Sequence, residues 1–132
     1  MAEFGPQECY PGLVAAADLS AFQYRVVRLT TTANNVNVAS HALAASPLAA
    51  IGVLQNKPAA AGRAASVAYS GHSKGVAGAT ITLGQMLSHD GSGYLIDAVS
   101  GANIVGRAME AAAAQEVFSV MLQPPVRWPA VA

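Results

Sequence analysis

The chain has 132 residues, room for one domain with a core of its own and hardly for two. Only 11% of them are charged, against about a quarter in ordinary soluble domains, and seven acidic and seven basic side chains cancel to zero net charge. That balance, without a Lys/Arg cluster, argues against a nucleic-acid binder, which needs several cations gathered on one face.

No run is long and apolar enough to span a bilayer. The opening residues Met1 to Pro6 lack the basic and apolar regions of a signal peptide, so the sequence suggests synthesis in the cytoplasm and no membrane partner. Cys9 is the only cysteine, which rules out an intrachain disulfide framework and a cysteine-based zinc site. Hydrophobic residues reach 53%, a figure inflated by alanine, while aromatics stay at 6%. Monomers need charge to stay apart, so a near-neutral, alanine-covered surface suits one that neighbours cover. An alanine-rich coding bias accounts for the same composition and stays open at this point.

Residues 1–18 hold Gly5, Pro6, Pro11 and Gly12, with Phe4, Tyr10 and Leu13 between them. Two prolines this close interrupt helix and central strand alike. The segment reads as an extended arm whose sparse apolar residues anchor on another chain, or as a disordered end. From Tyr24 to Thr32 the residues are β-branched and aromatic, as a strand prefers. Asn34-Asn35 signals a turn, and Val36-Asn37-Val38 alternates as a half-buried strand should. Ile51 to Lys57 is a short strand stopped at Pro58, and Ser66 to Gly71 a strand closed by glycine.

Thr80 to Gly84 alternates, placing Ile81 and Leu83 on one face. His89-Asp90-Gly91-Ser92-Gly93 is a hairpin signal with Asp-Gly at its centre, and Tyr94-Leu95-Ile96 returns from it. Gly106 to Glu116 is rich in alanine, Glu and Gln and leaves room for one short helix, although its apolar residues are nearly all alanine and would bury little. Val117 to Leu122 is the last strand, with Phe118, Val120 and Leu122 sharing a face, and Gln123-Pro124-Pro125 ends it. Many short strands with turns roughly every ten residues predict an all-β fold, a small barrel or sandwich. The predicted division is an N-terminal arm over 1–18, a β domain over 19–123 and a tail over 124–132.

The chain repeats itself once. Ile51-Gly52-Val53, then an alanine-rich connector, leads into Val67-Ala68-Tyr69; Val105-Gly106-Arg107 and a second alanine-rich connector lead into Val117-Phe118-Ser119-Val120. Each glycine suggests a bulge or a close backbone approach; chance similarity in alanine-rich sequence is the alternative.

This order, with Val67 to Gly71 as a strand ending in glycine, Ile81-Thr82-Leu83-Gly84 as a corner and a final glycine-led strand pair, resembles the capsid cement (head decoration) proteins of tailed phages over about residues 20–122. The resemblance implies a small β-barrel or sandwich that forms a homotrimer on the outside of the icosahedral head. Such trimers bridge major capsid protein subunits at three-fold and quasi-three-fold positions and stiffen the shell against packaged DNA. Phe4, Tyr10, Pro11 and Leu13 would then lie in a strap on the capsid, adding a strand to a sheet edge. Gly52, Gly71, Gly84 and Gly106 would be structural turn glycines. Trp128, between Pro125 and Pro129, is either an interface anchor or a packed-back tail residue.

Catalytic and metal signatures are missing from the sequence. His41, His72 and His89 have no metal-helix spacing and read as loop residues. Asp90 sits in a turn where aspartate is expected. Ser70 to Gly75 has neither a nucleophile elbow nor a phosphate loop and reads as a solvated hairpin tip. No cofactor and no enzyme activity are expected. Two other readings compete: another virion component, such as a head–tail joining or tail protein, and a small ligand-binding barrel, which would need an aromatic-lined pocket.

Overall fold

Runs of β-branched and aromatic residues prefer the pleated, half-buried setting of a strand, and the computed structural model, which describes residues 7–30, 32–38, 50–98 and 103–127, is all-β. Its strands are β1 (Gln7–Cys9), β2 (Val14–Ala15), β3 (Val26–Leu29), β4 (Asn35–Val38), β5 (Ala50–Leu54), β6 (Val67–Val76), β7 (Met86–His89), β8 (Leu95–Asp97), β9 (Asn103–Ala108) and β10 (Val117–Arg127). They pair in the order β2-β4-β3-β5-β6-β10-β9-β7-β8, with β1 added to β6. The short β2–β4 pair is parallel and the other strand pairs are antiparallel.

β6 organises this order. Its Ala68 pairs with both Cys9 and Val53, and its Gly71 with both Gln7 and Leu122. A strand residue has one partner on each edge, so β1 runs along one edge while β5 and then β10 follow each other along the other. Gly71 sits at the changeover with φ of 97°, backbone that glycine adopts without a Cβ penalty. The expectation that Gly71 closes the strand is thereby corrected, since the chain bends there and continues to Val76. Ser70 to Gly75 are strand residues rather than a hairpin tip, and Ser73 is fully buried. Strands that pass from one sheet to another at such bends form the corners of sandwiches. One bridge, Ala77 to Leu95, brings the β8 edge back to the end of β6, but the sheet does not close into a barrel. The fold is sandwich-like.

Two clusters of buried side chains fill it. Adjacent residues Val26 and Val27, Val53 and Leu54, and Val67 and Ala68 are all fully buried. Side chains alternate across a strand, so these strands are covered on both faces. Val26, Val53 and Ala68 meet Phe118, Val120, Leu95 and Leu87 on one side. Val27, Leu54 and Val67 meet Leu13, Ala15, Leu19 and Val36 on the other. Leu19 is 1% exposed, and burial of a leucine contributes roughly 1.5–3 kcal/mol. Leu13 and Ala15 are buried in the same cluster, and backbone bonds from Ala15 to Arg63 and from Leu19 to Pro58 help hold residues 13–22 against the sheet. Arg25 ties the halves together: its guanidinium stacks over Tyr94 at 3.9 Å and Phe22 at 4.8 Å and donates to the Tyr94 hydroxyl, while the Val26 N–H donates to the Gly93 carbonyl at 2.8 Å.

Three local expectations change. No helix occurs among the described residues, and Gly106 to Glu116 supplies the end of β9 and a turn in which Gln115 has φ of 72°. Pairing of β9 with β10 and the Ile81–Ala112 bridge outweigh the helix preference of the alanines there, because intrinsic propensity is small beside tertiary pairing. Ile81 and Leu83 do not share a face: the Gln85 N–H donates to the Thr82 carbonyl and Gly84 has φ of 80°, so the chain turns, leaving Ile81 buried and Leu83 exposed. Pro124 and Pro125 do not end β10; the register shifts between Leu122 and Val126, then pairing resumes at Val126–Ile104 and Arg127–Asn103. A bulge accommodates the two residues that lack an N–H. The Asp90 turn joins β7 to β8 antiparallel, with the Asp90 carboxylate accepting from the Ser92 and Tyr94 N–H groups at 2.9 and 3.0 Å.

The internal repeat has a structural counterpart. A Cβ on Gly52 would lie 2.3 Å from the Ala68 carbonyl oxygen, and one on Gly106 would lie 2.4 Å from the Met121 carbonyl oxygen. In each copy the returning strand presses its backbone into the space that a side chain would take. The spacing from glycine to carbonyl is one residue shorter in the second copy. Backbone cannot swing aside as a side-chain tip can. Gly52→Ala and Gly106→Ala are therefore expected to destabilise the protein by roughly 1–3 kcal/mol each, read as a lower urea midpoint. Unchanged midpoints would mean that the strands separate freely.

Candidate interaction surface

β10 alternates through its middle. Phe118, Val120 and Leu122 face the core, as their spacing predicts, whereas Val117 is 46% and Met121 41% exposed. The strand register sets Val76, Lys74 and His72 of β6 beside Val117, Ser119 and Met121. It also sets Arg107 of β9 opposite Met121, and Met86 of β7 opposite Arg107.

β9 peels away just past this point. The Ser119 N–H donates to the Glu110 carboxylate at 2.7 Å, and the Met109 N–H donates to the Ser119 carbonyl at 3.0 Å. Gly84, in the turn that carries Leu83, donates to the Ala108 carbonyl at 2.9 Å. The large exposed hydrophobics among the described residues are Leu83, Met109, Val117 and Met121. Val117 and Met121 lie on the outward side of β10, Met109 follows the end of β9, and Leu83 sits in the turn before β7. Grouped exposed apolar side chains mark interaction surfaces, and unbranched methionines adapt to an irregular partner.

Sequence reasoning gave none of these four residues an interaction role. The available signal was in β10 itself: once Phe118, Val120 and Leu122 point inward, Val117 and Met121 must point outward. Leu83 and Met109 carried no such signal, because the turns that expose them depend on pairing with distant residues.

The residues singled out from sequence have different placements. Leu13 is 8% exposed and belongs to the core beside Leu19 and Val36. Tyr10 packs against the same cluster, and Pro11 is exposed. Gly52, Gly71 and Gly106 lie inside strands, and Gly84 in a turn. Phe4, Trp128 and His41 lie outside the described residues. His72 lies in β6 and His89 at the end of β7, where it is fully buried, so neither is a loop residue. Among the described residues no three His, Cys, Asp or Glu side chains are grouped to hold a metal ion. No helix among them is long and apolar enough to cross a membrane.

β1 meets β6 through polar groups and one aromatic pair. The Tyr10 and Tyr69 rings lie 4.4 Å apart between centroids, and the Tyr69 hydroxyl donates to the Glu8 carboxylate at 3.0 Å. Gln7 donates its side-chain amide to the His72 carbonyl at 2.9 Å, and the Tyr10 N–H donates to the Val67 carbonyl at 3.0 Å.

A family model described as phage cement protein matches residues 23–123. Among curated proteins none matches. Among solved structures, the N base of the head fiber of bacteriophage phi29 superposes with a TM-score of 0.56 at 13% identity, covering 84% of this chain and 90% of that one. At that identity the likeness is one of fold.

The hydrogen bond to Glu8, with its negative charge, raises the Tyr69 pKa above the ordinary phenol value, and burial raises that of Tyr10. A raised phenol pKa stabilises the folded arrangement fully below the ordinary value near 10 and is lost as pH climbs through the folded value. Titration of tyrosinate absorbance should show late ionisation in the native protein. Glu8→Gln should bring part of it forward, and identical curves for the two proteins would remove the Tyr69–Glu8 bond from the account.

Proposed function

The chain belongs to the phage cement protein family, a structural component of the virion, and from that premise we propose that it decorates the outer surface of the icosahedral head as a homotrimer. Each trimer bridges major capsid protein subunits and stiffens the shell against packaged DNA. The observation that carries the docking mode is the exposure of four large apolar side chains, Val117 and Met121 on β10 and Met109 and Leu83 in the turns beside it. Uncharged side chains are cheap to desolvate, and a chain with only 11% charged residues places little like-charge repulsion between crowded copies. Modest apolar contacts repeated over a lattice add up through multivalency. Synthesis in the host cytoplasm, no membrane partner and no nucleic-acid contact complete the reading.

The strap on the capsid remains part of this proposal through Phe4 and Pro11, with Trp128 as a further anchor, while the Tyr10 ring is taken up by Tyr69. Leu13 serves the strap only as its root, because its side chain is spent in the core. A second reading is favoured by the fold likeness to the head fiber base: a base module from which a longer appendage rises.

Solution mass and co-sedimentation with expanded, undecorated heads test the proposal. A trimer binding at a saturating, lattice-set ratio is the expected result, and a stable monomer that ignores heads would overturn it. Met121→Lys, at an exposed position, should leave stability within about 0.5 kcal/mol. It should raise the half-saturating concentration on heads roughly tenfold or more, as loss of a buried apolar anchor does at an interface. Unchanged binding would place the capsid contact on another face.

A further inference from the structure

β1 lies off the main path of the sheet, added to the edge of β6 across from β5 and β10. It is three residues long, and its register shifts between Glu8 and Cys9. Glu8 and Cys9 are exposed and Gln7 only half-buried, so the strand is held mainly by polar bonds that water or an identical strand can replace. Its seat is nevertheless specific: Gln7 opposite Gly71, Glu8 opposite Ser70, and the Tyr10 ring against Tyr69. Behind it the chain passes through Pro11 and Gly12, both exposed, and Gly12 has φ of 72° with open space around its Cβ position. The first core anchor is Leu13. A loosely held strand, an open Pro-Gly hinge and a firm anchor directly after it are the parts that strand exchange needs.

We propose that β1 is an exchangeable strand: in the assembled protein, Gln7 to Tyr10 of one copy occupy the β6 edge of a second copy. The occupant is set by the seat, because an identical strand restores every pairing and bond that the cis strand makes. Exchange then changes no local contact, and the balance between cis and trans follows from local concentration and linker reach. Crowding on a head favours trans, and that part rests on the cement reading. Exchange would link neighbouring copies by backbone pairing, independently of the apolar face.

The test uses Cys9, whose Sγ lies 3.9 Å from the Ser66 hydroxyl. Ser66→Cys in the native chain forms an intrachain disulfide when β1 sits in cis. Mixing the native protein with a mass-tagged Cys9→Ser/Ser66→Cys variant yields a covalent pair of unequal chains when β1 of one copy sits on β6 of the other, and the yield from chance collision of accessible thiols is set by the same mixture with the cysteine at exposed Ala61 instead of Ser66. The mixture is oxidised as dilute protein, as concentrated protein and on expanded heads. The expected result is roughly tenfold or more mixed pair on heads or in concentrated protein than in dilute protein, with matching loss of the intrachain form in Ser66→Cys. Only the intrachain form at every concentration and on heads, with no mixed pair, would overturn the proposal. If Ser66→Cys fails to fold, Glu8→Cys and Ser70→Cys on a Cys9→Ser background report the same pairing, since those residues lie opposite each other. Should the protein not bind heads at all, the cement reading falls and the concentrated arm alone decides exchange.

Discussion

The structure depends on β6 joining both halves of the ten-stranded sheet along one edge. β5 occupies the first part of that edge and β10 the second, so the strand must bend between them. Gly71 makes the bend possible with backbone that other residues adopt only at a cost. Without it the first half would have no continuous connection to the second, and Phe118, Val120 and Leu95 would lose the opposite wall formed by Val26, Val53 and Ala68. Ser73 and Gly75, just beyond the bend, point into the same core, where Gly75 leaves room for Leu95 and Val120. Ser73 is buried yet partnered, accepting from Gln55 at 2.9 Å and donating to the Lys74 carbonyl at 3.0 Å. A polar side chain is tolerated there because its bonds are complete.

Small residues do the rest. Gly52 and Gly106 let a neighbouring carbonyl approach to a distance that no Cβ permits, drawing β5 onto β6 and β9 onto β10. Alanines at 50, 68, 77, 108 and 112 then fill a thin interior that larger side chains would overpack. The abundance of alanine, ambiguous in composition, is thus partly structural: several alanines are core residues rather than surface cover. With the interior filled so thinly, the large apolar side chains of β10 divide between two tasks. Phe118, Val120 and Leu122 hold the sandwich together, and Val117 and Met121 on the opposite face are left exposed.

The N-terminal segment divides along the same physical line. From Leu13 to Phe22 it closes the second core cluster, covering strands that would otherwise expose Val27, Leu54 and Val67. Ahead of Leu13, β1 is tied to the domain by backbone pairing and by the Tyr10–Tyr69 contact. One short stretch of chain therefore carries both a fixed cover and a loosely attached strand, separated by Pro11 and Gly12.

Much of this was legible in the residues themselves. Strand-forming runs at Val26 to Leu29, Ala50 to Leu54 and Val117 to Leu122 are local properties, since β-branched side chains and period-two alternation bear on φ, ψ and burial without reference to the rest of the chain. The Asp90 turn is local too, its carboxylate bonding to N–H groups two and four residues on. The repeated glycines announced close approach, and the order of motifs announced the family. What only the tertiary structure decided were matters of pairing. Gly71 reads as a stop, but the presence of β10 on the same edge as β5 makes it a bend. Gly106 to Glu116 leans toward helix, and the bonds offered by β10 and Ile81 draw it into strand and turn. Which of Leu83, Met109, Val117 and Met121 are left exposed is decided by how β6, β10, β9 and the Leu83 turn pair in space. Local preference is written in consecutive residues, whereas which edge a strand takes, and so which face is left open, is settled by hydrogen bonds between residues far apart in the chain.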